Sequence, residues 1–424
     1  MSKKKNHITV FEHESIRLGK GEKCLSEEQY KALQKYYGNG VPYYQLIHNG
    51  VKFNEHVGVI QVGKTIIEVL PKADKLSTTI QSEKGWRDML IGMLRAVGSF
   101  EIKSTSNSNL KIKPNTILDL YFEQFIKEVE CLIRNGIIKK YRKTEGNNNA
   151  LKGNLLFNKN IQHNSIHHER FYIKYTTYDV EHIFHLILYK TIRLLQQINT
   201  NASLQSRIGS LLLNFPEMPD IKVSEVTFEK LVFNRKTQSY KKATEIARLL
   251  LLKYHPDLSK GRNNVLALMF DMNDLWEKFI LASLRKNKKT DTKIIAQSSK
   301  PFWQAKKGRR SFMKPDILIQ KKGINIVLDT KWKNLNGANP TAADLRQMYV
   351  YHEYYGAKKV ALIYPGFKDD KKSGRYVDPK TNLKLDKECS IISLAIETNI
   401  DNWKKNIAEQ LLGWIETKQI INRI

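Results

Sequence analysis

The sequence predicts an α+β protein of several domains. A β-rich N-terminal domain spans residues 1–80, a largely helical middle region with a basic hairpin spans 81–262, and an α/β C-terminal domain spans 263–424. Three observations carry that reading. Short alternating apolar runs broken by Gly and Asn dominate the first segment, which is the period of strands. Apolar residues three and four apart dominate the second, which is the period of helices. After Asn264 strand and helix patterns alternate within one domain-sized stretch.

Composition narrows the partners. At 424 residues the chain is long enough for two or three cores, and 41% hydrophobic content fits a soluble globular protein. Its 71 Lys and Arg outweigh 42 Asp and Glu, leaving a formal charge of +29. Such a field attracts polyanions, nucleic acid first. No apolar run reaches the roughly 18 residues of a membrane span, so no membrane partner is expected. Cys24, Cys131 and Cys389 are scattered and form no CxxC pair. That pattern suits a reducing cytoplasm, without disulfides or a cysteine-held zinc. The opening MSKKKNHITV lacks the apolar core of a signal peptide.

In chain order, strands are expected at Ile8–Phe11, Tyr43–His48, Val51–Phe53, Gly58–Val62 and Thr65–Leu70. Turns at Gly19-Lys20-Gly21, Gly38-Asn39-Gly40 and Asn49-Gly50 divide them. One helix, Ser26–Tyr37, opens on a Ser cap with Glu in its first turn. Gly58 to Thr65 matches the phosphate-loop pattern GxxxxGK[ST] letter for letter. That chemistry needs a loop leading into a helix, and here β-favouring residues run on to Pro71. The segment therefore reads as a hairpin, and no nucleotide-binding residue is expected in this chain.

Helical periodicity marks residues 86–97, 116–134, 179–198, 201–213 and 238–253, with a polar linker at Ser99–Pro114. Ile137–Phe157 reads as strand, tip and strand, the tip being Glu145 to Asn149 and the flanks carrying Lys139, Lys140, Arg142, Lys143 and Lys152. These charges suit a solvated hairpin or contact with a DNA backbone. His163, His167 and His168 beside Glu169 lack a second ligand pair at finger-like spacing. His182 and His185 sit on an apolar helix and read as core or rim residues.

The C-terminal domain opens with an amphipathic helix, Asn273–Arg285, followed by a strand at Lys293–Ala296 and a basic segment with Lys306, Lys307, Arg309 and Arg310. Next comes KPDILIQKKGINIVLDTKWK, Lys314 to Lys333, two apolar runs joined by a turn containing Gly323. Helix Ala342–Tyr355, strand Val360–Tyr364, the polar insert Pro365–Glu388, strand Ile391–Ile396 and a helix at about 401–417 complete the domain. In the hairpin, Asp316 precedes the first strand, and Asp329 and Lys331 leave the second on the same side. Two carboxylates and one amine therefore converge at one end. A hard divalent cation takes such oxygens, and a neighbouring ammonium can position its water.

Written PD-x12-D-x-K, this stretch resembles the signature of the PD-(D/E)xK nuclease superfamily. Glu277 in LWEKF and the i, i+4 pair Gln347 and Tyr351 in DLRQMYVY resemble that superfamily's RecB-like branch with its QxxxY helix. The wider order VGVIQVGKTIIEVLPK, LKGNLLFNKNIQHN, YTTYDVEHIFHLIL, LWEKFI, KPDILI, LDTKWK and DLRQMYVY is similar to the McrC family. McrC is the nuclease subunit of McrBC-type modification-dependent restriction systems. His182 stands where that family often has Asn.

The resemblance implies a restriction-endonuclease-like fold for 263–424 and a Mg²⁺-dependent DNA endonuclease active with its partner. Asp316, Asp329, the Thr330 carbonyl and Glu277 would hold Mg²⁺, with Mn²⁺ as a substitute. Lys331 would orient or deprotonate the attacking water, while Gln347 and Tyr351 would position DNA or neighbouring groups. It also implies a McrB-like AAA+ GTPase ring that binds the GTP, that residues 1–80 engage as a partner-binding domain and that this chain stimulates, and double-stranded, base-modified DNA as substrate. Two other readings are a stand-alone RecB-like repair nuclease and a non-enzymatic, DNA-binding activator of a AAA+ ring. Three scattered cysteines speak against an iron–sulfur version of the first. The intact Asp316, Asp329 and Lys331 speak against the second.

Overall fold

The N-terminal strands form where β-branched residues alternate and turn wherever Gly or Asn allows a positive φ. Asn49 (φ 52°) closes the turn between strands Tyr44–Ile47 and Gly50–Phe53. Gly50 itself admits no side chain, since a Cβ there would lie 2.3 Å from the Ile16 carbonyl oxygen. This computed structural model describes residues 7–19, 23–38, 40–72, 82–97, 116–255, 264–287, 291–333, 335 and 337–416. The chain is a mixed α+β protein with several sheets and, among the described residues, eleven α-helices. It divides into two compact units, residues 1–60, 65–113 and 269–424 in one, and 61–64 and 114–268 in the other. The linker expected at Ser99–Pro114, parts of the first two Gly turns and residue 417 lie outside the described residues.

In the larger unit, helix Glu27–Tyr37 carries the expected cap as a full capping box: Ser26 accepts from the Gln29 N–H, and Gln29 reaches back to the Ser26 N–H. Strand His56–Val62, a turn at Gly63 (φ 59°) and strand Thr65–Leu70 replace any phosphate loop, as the β-favouring residues required. His7–Phe11 pairs in parallel with Ile66–Leu70. Glu68 on that sheet is fully buried, receiving Arg87 Nε at 2.7 Å and lying 3.5 Å from His7 Nε2. Burial pushes this carboxyl upward, but its His7 and Arg87 partners prevail and hold it below its ordinary value.

The C-terminal part of the same unit is built on a six-stranded mixed sheet. Its order is Thr292–Ala296, Ile317–Lys321, Ile324–Thr330, Ala357–Gly366, Lys384–Ala395, Asp370–Val377. The central hairpin turns at Lys322 (φ 49°) and Gly323 (φ 75°), two consecutive left-handed residues that match the twist of the strands they join. Helix Ala342–Tyr355 packs Met348, Tyr351 and Tyr355 on one sheet face with Val327, Leu362 and Cys389. The next residue along that strand, Ser390, points oppositely and accepts from Trp414 Nε1 of helix Ile400–Glu416. Helix Met272–Lys286 joins that second layer, with the Phe279 and Trp403 rings 4.7 Å apart. The polar insert contains the strand Asp370–Val377 and the start of Lys384–Ala395, which pair antiparallel. The sequence reading assigned it no element because nearly every side chain of the first strand is exposed.

The smaller unit holds helices Ile117–Arg134, Ile183–Ile198, Ala202–Asn214 and Lys241–Lys253 where their periodicity places them. His182 caps the second of these, and His185 is buried with Nε2 2.9 Å from the Tyr240 hydroxyl, so both are structural. The basic hairpin needs correcting. Lys140–Asn148 runs straight through the supposed tip at Glu145–Asn149 and pairs antiparallel with Phe171–Asp179. Among the described residues, the short strand Asn154-Leu155 lies on the other side of Phe171–Asp179. Gly and three Asn favour turns locally, but a partner strand distant in sequence supplies a full ladder and overrides them.

Candidate active site

The site grows from strand register. Ile317 pairs with Leu328, so the next positions outward, Asp316 and Asp329, face each other at the open end of the hairpin. Asp316 Oδ2 accepts the Thr330 N–H at 2.6 Å and the Thr330 hydroxyl at 2.9 Å. The Thr330 carbonyl is then the polar group this residue has left to offer a ligand. Asp329 is 1% exposed. Its Oδ2 lies 2.8 Å from Lys331 Nζ, yet no well-directed hydrogen bond accompanies the ion pair. Burial and the neighbouring Asp316 charge push Asp329 up to about 6, with Lys331 opposing. Burial pulls Lys331 downward, but Asp329, with Asp316 and Asp344, outweighs it and holds this ammonium above its ordinary range.

Helix Ala342–Tyr355 lies over this end of the sheet. Thr341 caps its start and Gly356 (φ 55°) its end. Gln347 Nε2 reaches Asp329 Oδ1 at 3.4 Å and the Tyr351 hydroxyl at 2.8 Å, so the i, i+4 spacing becomes a physical link to the carboxylate pair. Glu277, on helix Met272–Lys286, stands further off. Gln297 Nε2 donates to it at 2.9 Å, while burial and the Asp316 charge push it up to about 7. Among the described residues no three His, Cys, Asp or Glu side chains converge closely enough to hold a metal ion directly. Asp316, Asp329 and the Thr330 carbonyl therefore offer a hard oxygen set that water would complete, with Glu277 beyond it. A buried carboxylate oxygen without a directed donor, beside a second carboxylate, fits a hard divalent cation.

Comparison with known proteins decides the family. Residues 51–365 match the family model described as McrBC 5-methylcytosine restriction system component. The chain belongs to the McrC family. It is similar, at 19% identity and a TM-score of 0.72, to a chain of the refined half-complex from a tetradecameric assembly of Thermococcus gammatolerans McrB AAA+ hexamers with bound McrC. That likeness covers 96% of this chain and all of the other (100%). A cryo-EM structure of the Thermococcus gammatolerans McrBC complex is similar at 18% identity and a TM-score of 0.48, covering 66% and 88%. No curated protein matches the chain.

In this McrC-family member the structure brings Asp316, Asp329, Thr330, Lys331, Gln347 and Tyr351 together and leaves Glu277 at the margin. Sequence reasoning missed three residues around them. Gln297 holds Glu277 from a left-handed backbone (φ 48°) and closes onto Asp316, its N–H donating to the Asp316 carbonyl at 2.9 Å. Asn273 accepts the Trp332 N–H at 3.0 Å, and Glu12 accepts Trp332 Nε1 at 2.9 Å. Their letters carry no signal, because each acts only through a partner distant in sequence.

Proposed function

We propose that this chain is the DNA-cutting subunit of a modification-dependent restriction system, a Mg²⁺-dependent endonuclease on a PD-(D/E)xK fold. One observation carries the reading: Asp316, Asp329 and Lys331 meet at the mouth of one hairpin, under Gln347 and Tyr351. Asp316, Asp329 and the Thr330 carbonyl would hold the ion, with Glu277 acting through water; Mn²⁺ would substitute. Such an ion would supply Lewis acidity and lower the pKa of a water held beside it. Lys331 would orient the attacking water or take its proton, and would neutralise charge developing on the phosphate. Gln347 fixes the Asp329 carboxylate, and Tyr351 fixes Gln347. Asn273 and Glu12 hold Trp332 on both of its N–H groups, which steadies the backbone directly after Lys331.

The partner is a McrB-like AAA+ GTPase ring, which binds GTP in this chain's place and selects base-modified duplex DNA. The solved McrB hexamers with bound McrC support that reading, as does the net charge of +29, which suits a polyanion. Metal binding tests the centre apart from turnover. Titration with Mn²⁺, followed by paramagnetic resonance, is expected to give a site that Asp316→Ala and Asp329→Ala each weaken at least tenfold. Equal affinity in wild type and both variants would rule out this donor set.

A further inference from the structure

Between Gln297 and Asp316 the chain leaves the large sheet and forms a separate two-stranded ribbon, Lys300–Gln304 against Arg310–Met313, with an irregularity between Pro301 and Trp303. Its base is the candidate site itself. The Gln297 N–H bonds the Asp316 carbonyl, and the Gln297 side chain holds Glu277. Tyr355 rivets the two legs together, its hydroxyl lying 2.7 Å from the Ser298 carbonyl oxygen and 2.9 Å from that of Met313, so that its one proton is shared between them. Lys300 Nζ bonds the Tyr354 carbonyl at 2.8 Å, and the Phe302 and Tyr354 rings lie 5.2 Å apart.

Above this anchored base nearly every residue faces solvent. Trp303 is 60% exposed and Phe312 58%. Residues 298–315 contain six cations, Lys300, Lys306, Lys307, Arg309, Arg310 and Lys314, and no acidic residue. Lys306, Lys307 and Arg309 at the turn have no ion pair among the described residues. Scattered surface aromatics need no explanation, but exposed aromatics interleaved with unpaired cations on one short ribbon do. The pattern is that of a nucleic-acid grip: cations on phosphates, with rings against sugars and bases. A two-stranded ribbon is also narrow enough to enter a groove of B-form DNA.

We propose that the ribbon Lys300–Met313 is a duplex-DNA grip that lies along the groove beside the bond being cut, with Lys306, Lys307 and Arg309 on phosphates and Trp303 wedged against the groove wall. The proposal rests on the nuclease reading, since it is the attachment at Gln297 and Asp316 that makes the bound duplex a substrate. Its riveted base makes the ribbon a fixed ruler, so DNA held at the turn is placed relative to Asp316.

The test is equilibrium binding of a fluorescent 30-base-pair duplex to the full-length protein without divalent metal, at several salt concentrations. The triple variant Lys306→Ala, Lys307→Ala, Arg309→Ala is expected to bind about 10- to 100-fold more weakly at 0.1 M salt, with a log–log salt slope shallower by about 2 to 3. Trp303→Ala is expected to weaken binding at least fivefold, and Trp303→Phe to restore most of it. The matched removal of charge at Lys222, Lys230 and Lys236 is expected to change the slope by less than one. Thermal unfolding of each variant within about a degree of wild type shows that the ribbon can change without unfolding the body. Unchanged affinity and slope in the triple variant, or an equal effect from the three lysines of the smaller unit, would overturn the proposal. Unchanged DNA binding with lost association to a AAA+ partner would overturn it in favour of a protein contact. Because no metal is present, failure of the nuclease reading would register separately, as DNA cleavage that Asp329→Ala does not abolish.

Discussion

Asp329 is the residue the site depends on, since a carboxylate 1% exposed is costly unless its charge is answered. Lys331 answers one oxygen, and Gln347 reaches the other over 3.4 Å. Gln347 in turn donates to Tyr351, whose ring is almost wholly buried, so a rigid aromatic fixes the amide that fixes the carboxylate. Gln347→Ala is therefore expected to slow DNA cleavage about tenfold while changing stability by less than about 1 kcal/mol, because the 3.4 Å contact is weak. Single-turnover cleavage beside a denaturant melt reads both quantities, and an unaffected rate would remove Gln347 from the site. Much of this was legible in advance. A hairpin register puts Asp316 opposite Asp329 once the turn at Gly323 is located, and helical spacing pairs Gln347 with Tyr351. Gln297 was not legible, because nothing in AQSSK marks a residue that must adopt a left-handed backbone and hold a distant glutamate.

Elements were legible where one face is buried and obscure where none is. The helix bounds at Ala342–Tyr355 follow from Thr341 and Gly356, which cap it. Asp370–Val377 is almost wholly exposed, and Lys140–Asn148 ends in the turn-formers Gly146, Asn147 and Asn148, so both strands depend on the partner strand that pairs with them. Packing between elements is equally silent in sequence. Gly92 in helix Glu83–Ala96 looks like a helix weakener worth replacing, yet a Cβ there would sit 2.2 Å from Ile400 Cγ1. Gly92→Ala should gain about 1 kcal/mol of helix propensity and lose more to overpacking, a net loss of about 1–3 kcal/mol in urea unfolding. Ile400→Val should recover part of that loss, and a stabilised Gly92→Ala protein would disprove the contact.

Glu12 ties the N-terminal strands to Trp332, and burial pushes its carboxyl up to about 7, the charges of Glu55 and Asp271 adding to it against the Lys72 N–H and Trp332. A carboxyl raised in the fold above its unfolded value of about 4.5 binds its proton more tightly when native. Its contribution to stability therefore falls as pH rises from about 4.5 to about 7 and is flat beyond. Glu12→Gln keeps an acceptor for Trp332 but cannot ionise. Its advantage over wild type should grow from near zero at about pH 4 to about 1–3 kcal/mol above pH 7, read from melting across that range. A gap that stays flat or shrinks would contradict the buried, proton-holding state of Glu12.

At the scale of the molecule, the chain does not separate where its functions do. Residues 1–60, 65–113 and 269–424 form one compact unit, so a cut near 262 would part Glu12 from Trp332, Gly92 from Ile400 and the Glu55 carbonyl from the Met272 N–H it accepts. Division of labour is better read from point variants of the full-length protein than from fragments. All proposed ligands lie after residue 270, while the surplus of positive charge is spread along the whole sequence. Charge of that kind attracts phosphate without choosing a site, which is consistent with the proposed division in which a GTPase ring chooses and this chain cuts. The most direct measurement combines full-length protein, the cognate AAA+ ring, GTP, Mg²⁺ and modified duplex DNA, following phosphate release and strand cleavage in the same reaction. Asp329→Ala and Lys331→Ala are each expected to lower the cleavage rate by about 10³-fold or more while GTP turnover stays at the wild-type level. Cleavage by Asp329→Ala at near the wild-type rate would contradict the account.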